Sequence, residues 1–140
     1  LSADGHIDME ANGRLIELAG GFGLVVAFLR TFDLLVDRER GMRDISALGC
    51  TRFITAGVLG WDASVATLEQ RVAVVKGDIE NAAREGRRLG RVPVEVVPAG
   101  GVRAANAQAW LALSPHLHAS CRRDGAISLE ELTRIQAEMR

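Results

Sequence analysis

The sequence predicts an α/β fold in which a parallel sheet is built from alternating strands and helices. Short apolar runs of strand length alternate with longer segments whose apolar residues recur at steps of three and four, the period of a helix. Helical segments of ten or more residues between successive strands are typical of parallel pairing with right-handed crossovers. We treat residues 1–140 as a single domain, since this length suffices for one core.

Composition and charge exclude several classes of protein. The chain has a formal net charge of −1, with 48% hydrophobic and 25% charged residues, which is ordinary for a globular protein. This charge gives no reason to expect nucleic acid or an anionic membrane as a partner. No apolar run approaches the roughly 18 residues of a membrane span, and no signal-peptide pattern opens the sequence. The 2 cysteines are far apart, which favours a reducing compartment, so we expect a cytoplasmic protein.

The first half of the chain contains two predicted helices around one predicted strand. Asp8 is expected to cap a helix over Met9–Ala19. The apolar run Leu24–Leu29 has the length of a strand. A second helix is expected over Arg38–Leu48, capped by Asp37.

The second half is predicted to repeat this pattern. Its elements are a strand at Arg52–Ala56, a helix over Ser64–Arg84, a strand at Val94–Val97, a helix over Asn106–Leu113, a strand at His116–Ser120 and a helix over Ile127–Met139. The long helix is the best defined of these, because its apolar residues form a single stripe. The stripe consists of Val65, Leu68, Val72, Val75, Ile79 and Ala82.

The segment Val94–Val102 is predicted to end a buried strand in a glycine turn. Pro98 has no N–H to donate, so strand pairing should stop there. Gly100 and Gly101 allow positive φ and leave no side chain between the backbone and a ligand. A strand, a glycine turn and a helix in succession can gather backbone N–H groups around an anion. The alternative is that these glycines form only a turn.

The ends of the predicted strands bring polar residues to one edge of the sheet, where parallel α/β folds bind their ligands. Arg30 and Asp33 follow the first strand, either as a ligand-binding pair or as a structural ion pair. Ser120 and Arg122 follow the last strand and are candidates to clamp an anion, since a guanidinium pairs well with phosphate or carboxylate. The full set of ligand-binding candidates is Arg30, Asp33, Thr55, Gly100, Gly101, His118, Ser120 and Arg122.

Two of these candidates also have simple structural interpretations. Thr55 is a small hydroxyl of the kind that more often stabilises a strand end, and His118 is more often a hydrogen-bonded core residue. We expect phosphate or sulfate, if bound, to lie against Gly100 and Gly101 within reach of Arg122.

Five short blocks, in order along the chain, carry a resemblance to a known family. They are Leu1–Asp8, Phe28–Asp33, Leu48–Gly57, Pro98–Val102 and His118–Arg122. In order and approximate spacing they resemble blocks of the CutC copper homeostasis family. The family's blocks read Leu-Thr-x-Asp-Gly-x-Ile-Asp, Phe-His-Arg-Ala-Phe-Asp, Leu-Gly-x-x-Arg-Ile-Leu-Thr-Ser-Gly, Pro-Gly-Gly-Gly-Val and His-x-Ser-Ala-Arg.

The resemblance implies a partial (β/α)8 TIM-type barrel of about four strands and a role in copper homeostasis. The matching blocks belong to the family's carboxyl-terminal half, and a full barrel takes roughly 200 residues or more. Leu29, Ala56 and Ala99 stand where the family has a histidine, a serine and a glycine. Because each change removes a polar group or backbone freedom, an alternative interpretation is that the site differs from that of the family.

Copper(I) prefers thiolate and thioether ligands, which makes Cys121 the candidate metal ligand. Cys50 precedes its strand and should lie at the opposite end of the sheet, about 16 Å away for a strand of five residues. The two thiols therefore cannot share one ion or a disulfide within a subunit. His6, His116 and His118 could assist Cys121, but the sequence contains no metal-ligand spacing such as Cys-x-x-Cys.

Three functions remain compatible with these features. The first is copper binding or handling, with Cys121 as a ligand shared between subunits. The second is a TIM-barrel enzyme or binding protein for a small anionic or phosphorylated metabolite. The third is an inactive truncated paralogue. Whether the protein is an enzyme stays open, since no general base with an evident partner stands out.

Half of a barrel should not persist as a monomer. Barrel closure at the usual strand tilt takes about eight strands, so four would leave two unpaired edges. We expect the open side to expose the inward faces of Phe28, Phe53 and Val96. The chain should therefore associate with a second copy or with a separate amino-terminal fragment.

Overall fold

The computed structural model describes residues 1–140 and shows an α/β fold with one parallel sheet. The helices are α1 (Met9–Gly21), α2 (Arg38–Leu48), α3 (Leu68–Leu89), α4 (Ala104–Leu111) and α5 (Leu129–Glu138). The strands are β1 (Ala27–Phe28), β2 (Arg52–Thr55), β3 (Glu95–Pro98), β4 (Arg122–Arg123) and β5 (Ala126–Ile127). Two short 3-10 helices, Arg30–Leu34 and Ala63–Val65, follow β1 and β2. No helix is at once long and apolar enough to span a membrane.

The strands β1, β2 and β3 form an open sheet in that order, and both pairings are parallel as predicted. Phe53 of β2 lies opposite Phe28 of β1 and Val96 of β3. β1 is shorter than the predicted Leu24–Leu29, because it is an edge strand with a neighbour on one side and only Ala27 and Phe28 pair.

Capping groups set the helix boundaries. α1 begins after Asp8, whose carboxylate accepts the N–H of Ala11 at 2.8 Å, as the sequence predicts. α2 has the predicted bounds and begins after Asp37. α3 begins after Thr67 rather than at Ser64, because Thr67 forms a capping box with the side chain three residues later.

The face of α3 that packs on the core contains most of the predicted apolar stripe and, beside it, buried charged residues. Its buried residues are Arg71, Val75, Asp78, Ala82, Glu85 and Gly86. Val75 and Ala82 belong to the predicted stripe, and three further stripe residues, Leu68, Val72 and Ile79, pack partly buried against the core. Only Val65 lies outside the helix, with 70% of its surface exposed. The prediction assumed that charged residues face solvent, whereas Arg71 and Asp78 are buried because they have hydrogen-bonding partners.

The strand predicted at His116–Ser120 is wrong. These residues form no strand, although the N–H of His118 donates to the carbonyl of the last residue of β3 at 2.9 Å. The chain continues into an antiparallel β4–β5 hairpin, in which Asp124 and Gly125 have φ values of 50° and 81°. Asp-Gly is a strong hairpin signal, since this turn requires positive φ at both central residues. Arg122 therefore lies on a hairpin and not at the exit of a parallel strand.

The core lies between one face of the sheet and helices α2, α3 and α4. Its wholly buried large side chains are Phe32, Met42, Ile45, Phe53, Val75 and Trp110. The prediction that Phe53 and Val96 face the open side is therefore wrong, since they are 0% and 5% exposed. The open face instead carries Arg52, Ile54 and Glu95. Because strand side chains alternate, a shift of one residue exchanges the two faces.

Candidate functional site

Asp33 is the centre of a buried charge network at the carboxyl edge of the sheet. It lies in the 3-10 helix after β1 and is 1% exposed. Its Oδ2 accepts hydrogen bonds from Arg30 Nε at 3.0 Å and from the Ala56 N–H at 2.9 Å. Its Oδ1 accepts hydrogen bonds from the Thr55 hydroxyl and from Arg38 Nη1. Both oxygens are used within the chain, so Asp33 and Thr55 position neighbouring groups.

Arg38, the first residue of α2, links this network to α3. Its Nε and Nη2 donate to the two carboxylate oxygens of Asp78, and its Nη2 also donates to the Thr55 hydroxyl at 2.9 Å. Burial alone would lower the pKa of Arg38. The hydrogen bond and charge of Asp78, with those of Asp33, outweigh burial and raise that pKa. The charge of Arg38 is therefore compensated within the fold.

Arg71 is buried, whereas Arg38 is only partly buried, and no carboxylate pairs with Arg71. Its Nε donates to the carbonyl of Ala56 at 2.7 Å, and its Nη2 donates to the carbonyls of Ala99, at 2.9 Å, and Gly100. The guanidinium lies over the ring of Trp110, 5.1 Å from the ring centroid. Burial lowers the pKa of Arg71, and the positive charge of Arg30 lowers it further, although Asp33 opposes both. Arg71 is thus an enclosed cation held only by carbonyl groups.

The glycine turn lies against this cation. Gly100 and Gly101 have φ values of 68° and 76°, as the predicted turn requires. A Cβ on Gly100 would approach the Cβ of Ala56 to 2.7 Å, so the turn is closely packed. A Cβ on Gly101 would stand 4.0 Å from Arg71 Nη1. The arginine therefore faces the turn through a nitrogen that makes no hydrogen bond within the chain.

Three consecutive backbone N–H groups at the turn have no acceptor within the chain. They belong to Gly100, Gly101 and Val102. Val102 is only 1% exposed, and a buried N–H without an acceptor is rare in folded proteins. These groups are free to bind a ligand.

The start of α4 is already capped by side chains of the same chain. Asn106 Oδ1 accepts the N–H of Arg103 at 2.9 Å, and Glu131 of α5 accepts the N–H of Ala104 at 2.8 Å. The hydrogen bond from Ala104 lowers the pKa of Glu131, and that from Arg123 lowers it further. The N–H groups of Arg103 and Ala104 are therefore not available to a ligand, unlike those of the glycine turn.

The structure places the carboxyl-terminal candidates differently from the prediction. His118 and Ser120 are exposed and lie outside any strand. Arg122 is exposed, and only its carbonyl is engaged, with Arg103 Nη2 at 3.1 Å. None of these three side chains hydrogen-bonds to the glycine turn, and the guanidinium facing Gly101 is that of Arg71.

A model of the CutC family matches residues 1–121. The chain belongs to the CutC family. A CutC family protein of Xanthomonas campestris pv. campestris strain B100 is 35% identical over 124 residues, which cover 87% of this chain and 45% of the relative. A CutC family protein of Vibrio cholerae serotype O1 is 48% identical over 58 residues, which cover 41% of this chain and 23% of the relative. A CutC family protein of Chromobacterium violaceum is 33% identical over 124 residues, which cover 87% of this chain and 44% of the relative. At its broadest, the similarity spans about half the length of these relatives.

The two cysteines of this CutC family chain lie in separate parts of the fold, each outside any three-ligand cluster. No group of three His, Cys, Asp or Glu side chains is placed to hold a metal ion. Cys121 is buried, and its Sγ lies 3.9 Å from the carbonyl oxygen of Ala119. Cys50 lines a separate cavity of about 510 Å³ beside the amino ends of β2 and β3. Burial raises the pKa of Cys50 and so disfavours the thiolate that binds metals.

Sequence reasoning missed Arg38, Arg71 and Asp78. The signal for two of them was present, because Arg71, Val75, Asp78 and Ala82 follow steps of four, three and four. Charged residues at these positions within a core-facing helix predict buried polar contacts, and no periodicity rule identifies their partners.

Proposed function

We propose that this CutC family chain binds a small anionic or phosphorylated metabolite at the glycine turn, between Gly100–Val102 and the guanidinium of Arg71. The observation that carries the proposal is a buried arginine without a carboxylate partner, placed beside three backbone N–H groups without acceptors. An anion here would accept charge-assisted hydrogen bonds from arginine and ordinary ones from the backbone.

Charge balance supports an anion rather than a cation or a neutral ligand. The network contains three guanidinium groups and two carboxylates, which leaves one positive charge in excess. An isolated buried charge is costly unless it is compensated. Arg38 is compensated by Asp33 and Asp78, so the excess positive charge is shared between Arg30 and Arg71.

Arg30 provides a second cation at the same turn. Its guanidinium carbon lies 3.6 Å from the position of a Cβ on Gly100. Its Nε is bound to Asp33 and its Nη2 to the carbonyl of Trp61, so Nη1 is left without a partner in the chain. Because Arg30 and Arg71 are close enough to repel each other, a bound anion would relieve that repulsion.

Calorimetric titration of the chain with inorganic phosphate tests this proposal. We expect binding by the wild type and a loss of about tenfold or more in affinity for Arg71→Met, because a hydrogen bond to a charged group contributes about 1.5–3 kcal/mol. Arg134→Met is the matched control, since Arg134 is half exposed on α5. Arg71→Lys keeps the charge and should lose less affinity, which separates ligand binding from damage to the fold. Equal affinity in the wild type and a folded Arg71→Met variant would reject the proposal.

Copper homeostasis, which the family resemblance implies, is a competing proposal for this chain. It requires donors from a second subunit around Cys121, in the reducing cytoplasm that the two free thiols favour. Titration with Cu(I) distinguishes the two proposals, because only copper handling makes the thiol essential. Equal copper uptake by the wild type and Cys121→Ser would eliminate this role for Cys121.

A further inference from the structure

Trp61 places an exposed aromatic ring beside the proposed anion site. The ring lies on the loop between β2 and α3 and is 58% exposed. The guanidinium of Arg30 lies 5.4 Å from its centroid, and Arg30 Nη2 donates to the Trp61 carbonyl at 2.9 Å. The same guanidinium carbon is 3.6 Å from the Cβ position of Gly100. The aromatic ring and the glycine turn therefore flank one cation.

Contacts to the rest of the fold hold this loop in place. The N–H of Gly60 donates to the carbonyl of Asp33 at 2.6 Å. Asp62 caps the following 3-10 helix by accepting the N–H of Ser64 at 2.9 Å. Ala63 lies 3.3 Å from the Cβ position of Gly100, so the loop packs directly against the turn. The exposure of Trp61 is thus a property of an anchored loop.

We infer that the ligand is a phosphate monoester of a ring compound, whose phosphate lies at the glycine turn and whose ring packs on Trp61. This inference rests on the proposed anion site. The free donors are three N–H groups and the Nη1 atoms of Arg30 and Arg71, and three terminal phosphate oxygens can accept more of these hydrogen bonds than a carboxylate can. A flat, largely apolar surface beside a few polar groups is the usual composition of a small-molecule site.

Four probes test the inference by calorimetry: inorganic phosphate, the acyclic glycerol 3-phosphate, the sugar ester glucose 6-phosphate and the aromatic ester phenyl phosphate. We expect at least one ring-bearing ester to bind about tenfold more tightly than glycerol 3-phosphate, and the comparison of the two esters distinguishes a sugar from a planar ring. Trp61→Ala should remove this advantage and leave the affinity for inorganic phosphate within about twofold. Trp61→Phe should restore most of it.

Val92→Ala is the matched control, because Val92 is 89% exposed and lies at the amino end of β3. It should bind all four probes as the wild type does. The inference is overturned, and the anion site stands, if the ring-bearing and acyclic esters bind equally or if Trp61→Ala weakens all four probes alike. If the wild type binds no phosphate, the proposed function itself fails.

Discussion

Gly101 and Gly125 have similar backbone conformations in very different surroundings. Their φ values are 76° and 81°, which favour glycine at both positions. A methyl group on Gly101 would stand 4.0 Å from Arg71 Nη1, whereas one on Gly125 would have no atom within 4 Å. Alanine should strain the backbone at both positions, whereas only at Gly101 would it also obstruct the site.

We predict that Gly101→Ala weakens phosphate binding while Gly125→Ala does not. Both variants should lose roughly 1–2 kcal/mol of stability, because an L-residue in the left-handed region is strained. The added methyl group should also occupy the space in front of Arg71. Phosphate titration and thermal melts of both variants measure the two effects, and equal affinities would show that the anion does not contact the turn.

The contacts of individual residues were the hardest feature to predict from sequence. The glycine turn and the pairing of Arg30 with Asp33 could be predicted, because they depend on neighbours in sequence. The pairing of Arg71 with the turn could not, since it joins positions 29 residues apart across the β2–α3 and β3–α4 connections. Arg122 was predicted to clamp the anion because it was expected to follow a parallel strand.

At the scale of elements, the Arg38–Asp78 pair joins α2 to α3. Asp78 is 4% exposed, and removing one partner of a buried pair typically costs about 3–5 kcal/mol. We predict that Asp78→Asn lowers the melting temperature by about 6–20 °C, as this energy implies for a domain of this size. Glu80→Gln, on the exposed face of the same helix, is the control and should melt within a few degrees of the wild type. A small change for Asp78→Asn would mean that the pair contributes little net stability.

Glu131 makes the docking of α5 on α4 dependent on pH. Its hydrogen bond from Ala104 and its pairing with Arg123 lower its pKa below the ordinary value of 4.5. Its contribution to stability is therefore complete above pH 4.5 and is lost as the pH falls through the lowered value.

We predict that Glu131→Gln destabilises the protein at neutral pH and that the difference from the wild type shrinks as the pH falls well below 4.5. Glu130→Gln is the control, since Glu130 is 74% exposed. Thermal melts of all three proteins across this range provide the measurement. A difference that does not change with pH would indicate that packing, and not the carboxylate charge, docks α5.

Element types could largely be predicted from sequence, and the face that the sheet turns to the core could not. α2 was predicted to the residue, because Asp37 and Gly49 mark both of its ends. The open face of the sheet was misplaced, because a shift of one residue along a strand exchanges its two faces. Apolar periodicity identified the core-facing stripe of α3 but not the buried charges of Arg71 and Asp78, because it does not identify their partners.

At the scale of the whole molecule, the open sheet favours association between chains. β1 pairs only with β2, and its neighbours Val25 and Leu29 are 80% and 62% exposed. An unpaired strand edge with apolar flanks is a template for pairing with another chain. The open face itself carries the Arg52–Glu95 ion pair, so it is less apolar than the sequence prediction assumed.

We predict that the chain forms dimers at micromolar concentration through the β1 edge, unless a separate amino-terminal fragment occupies it. Val25→Lys should weaken this association, because a lysine on an edge strand opposes pairing. Leu129→Lys, at an exposed position on α5, should leave it unchanged. Light scattering provides the masses, and a monomer of 15.0 kDa with a cooperative melt would contradict the prediction.

Arg30 and Arg71 each lie over a tryptophan ring, which makes tryptophan fluorescence an intrinsic probe of the proposed site. With 2 tryptophans and no tyrosine, its near-ultraviolet fluorescence comes almost entirely from Trp61 and Trp110. Trp61 is accessible to a dissolved quencher such as iodide, whereas Trp110 is 0% exposed and should emit at shorter wavelengths. Each indole lies over one guanidinium group of the proposed site, Trp61 over Arg30 and Trp110 over Arg71. Emission from the unlabelled protein can therefore report ligand binding beside Arg30 and beside Arg71 separately.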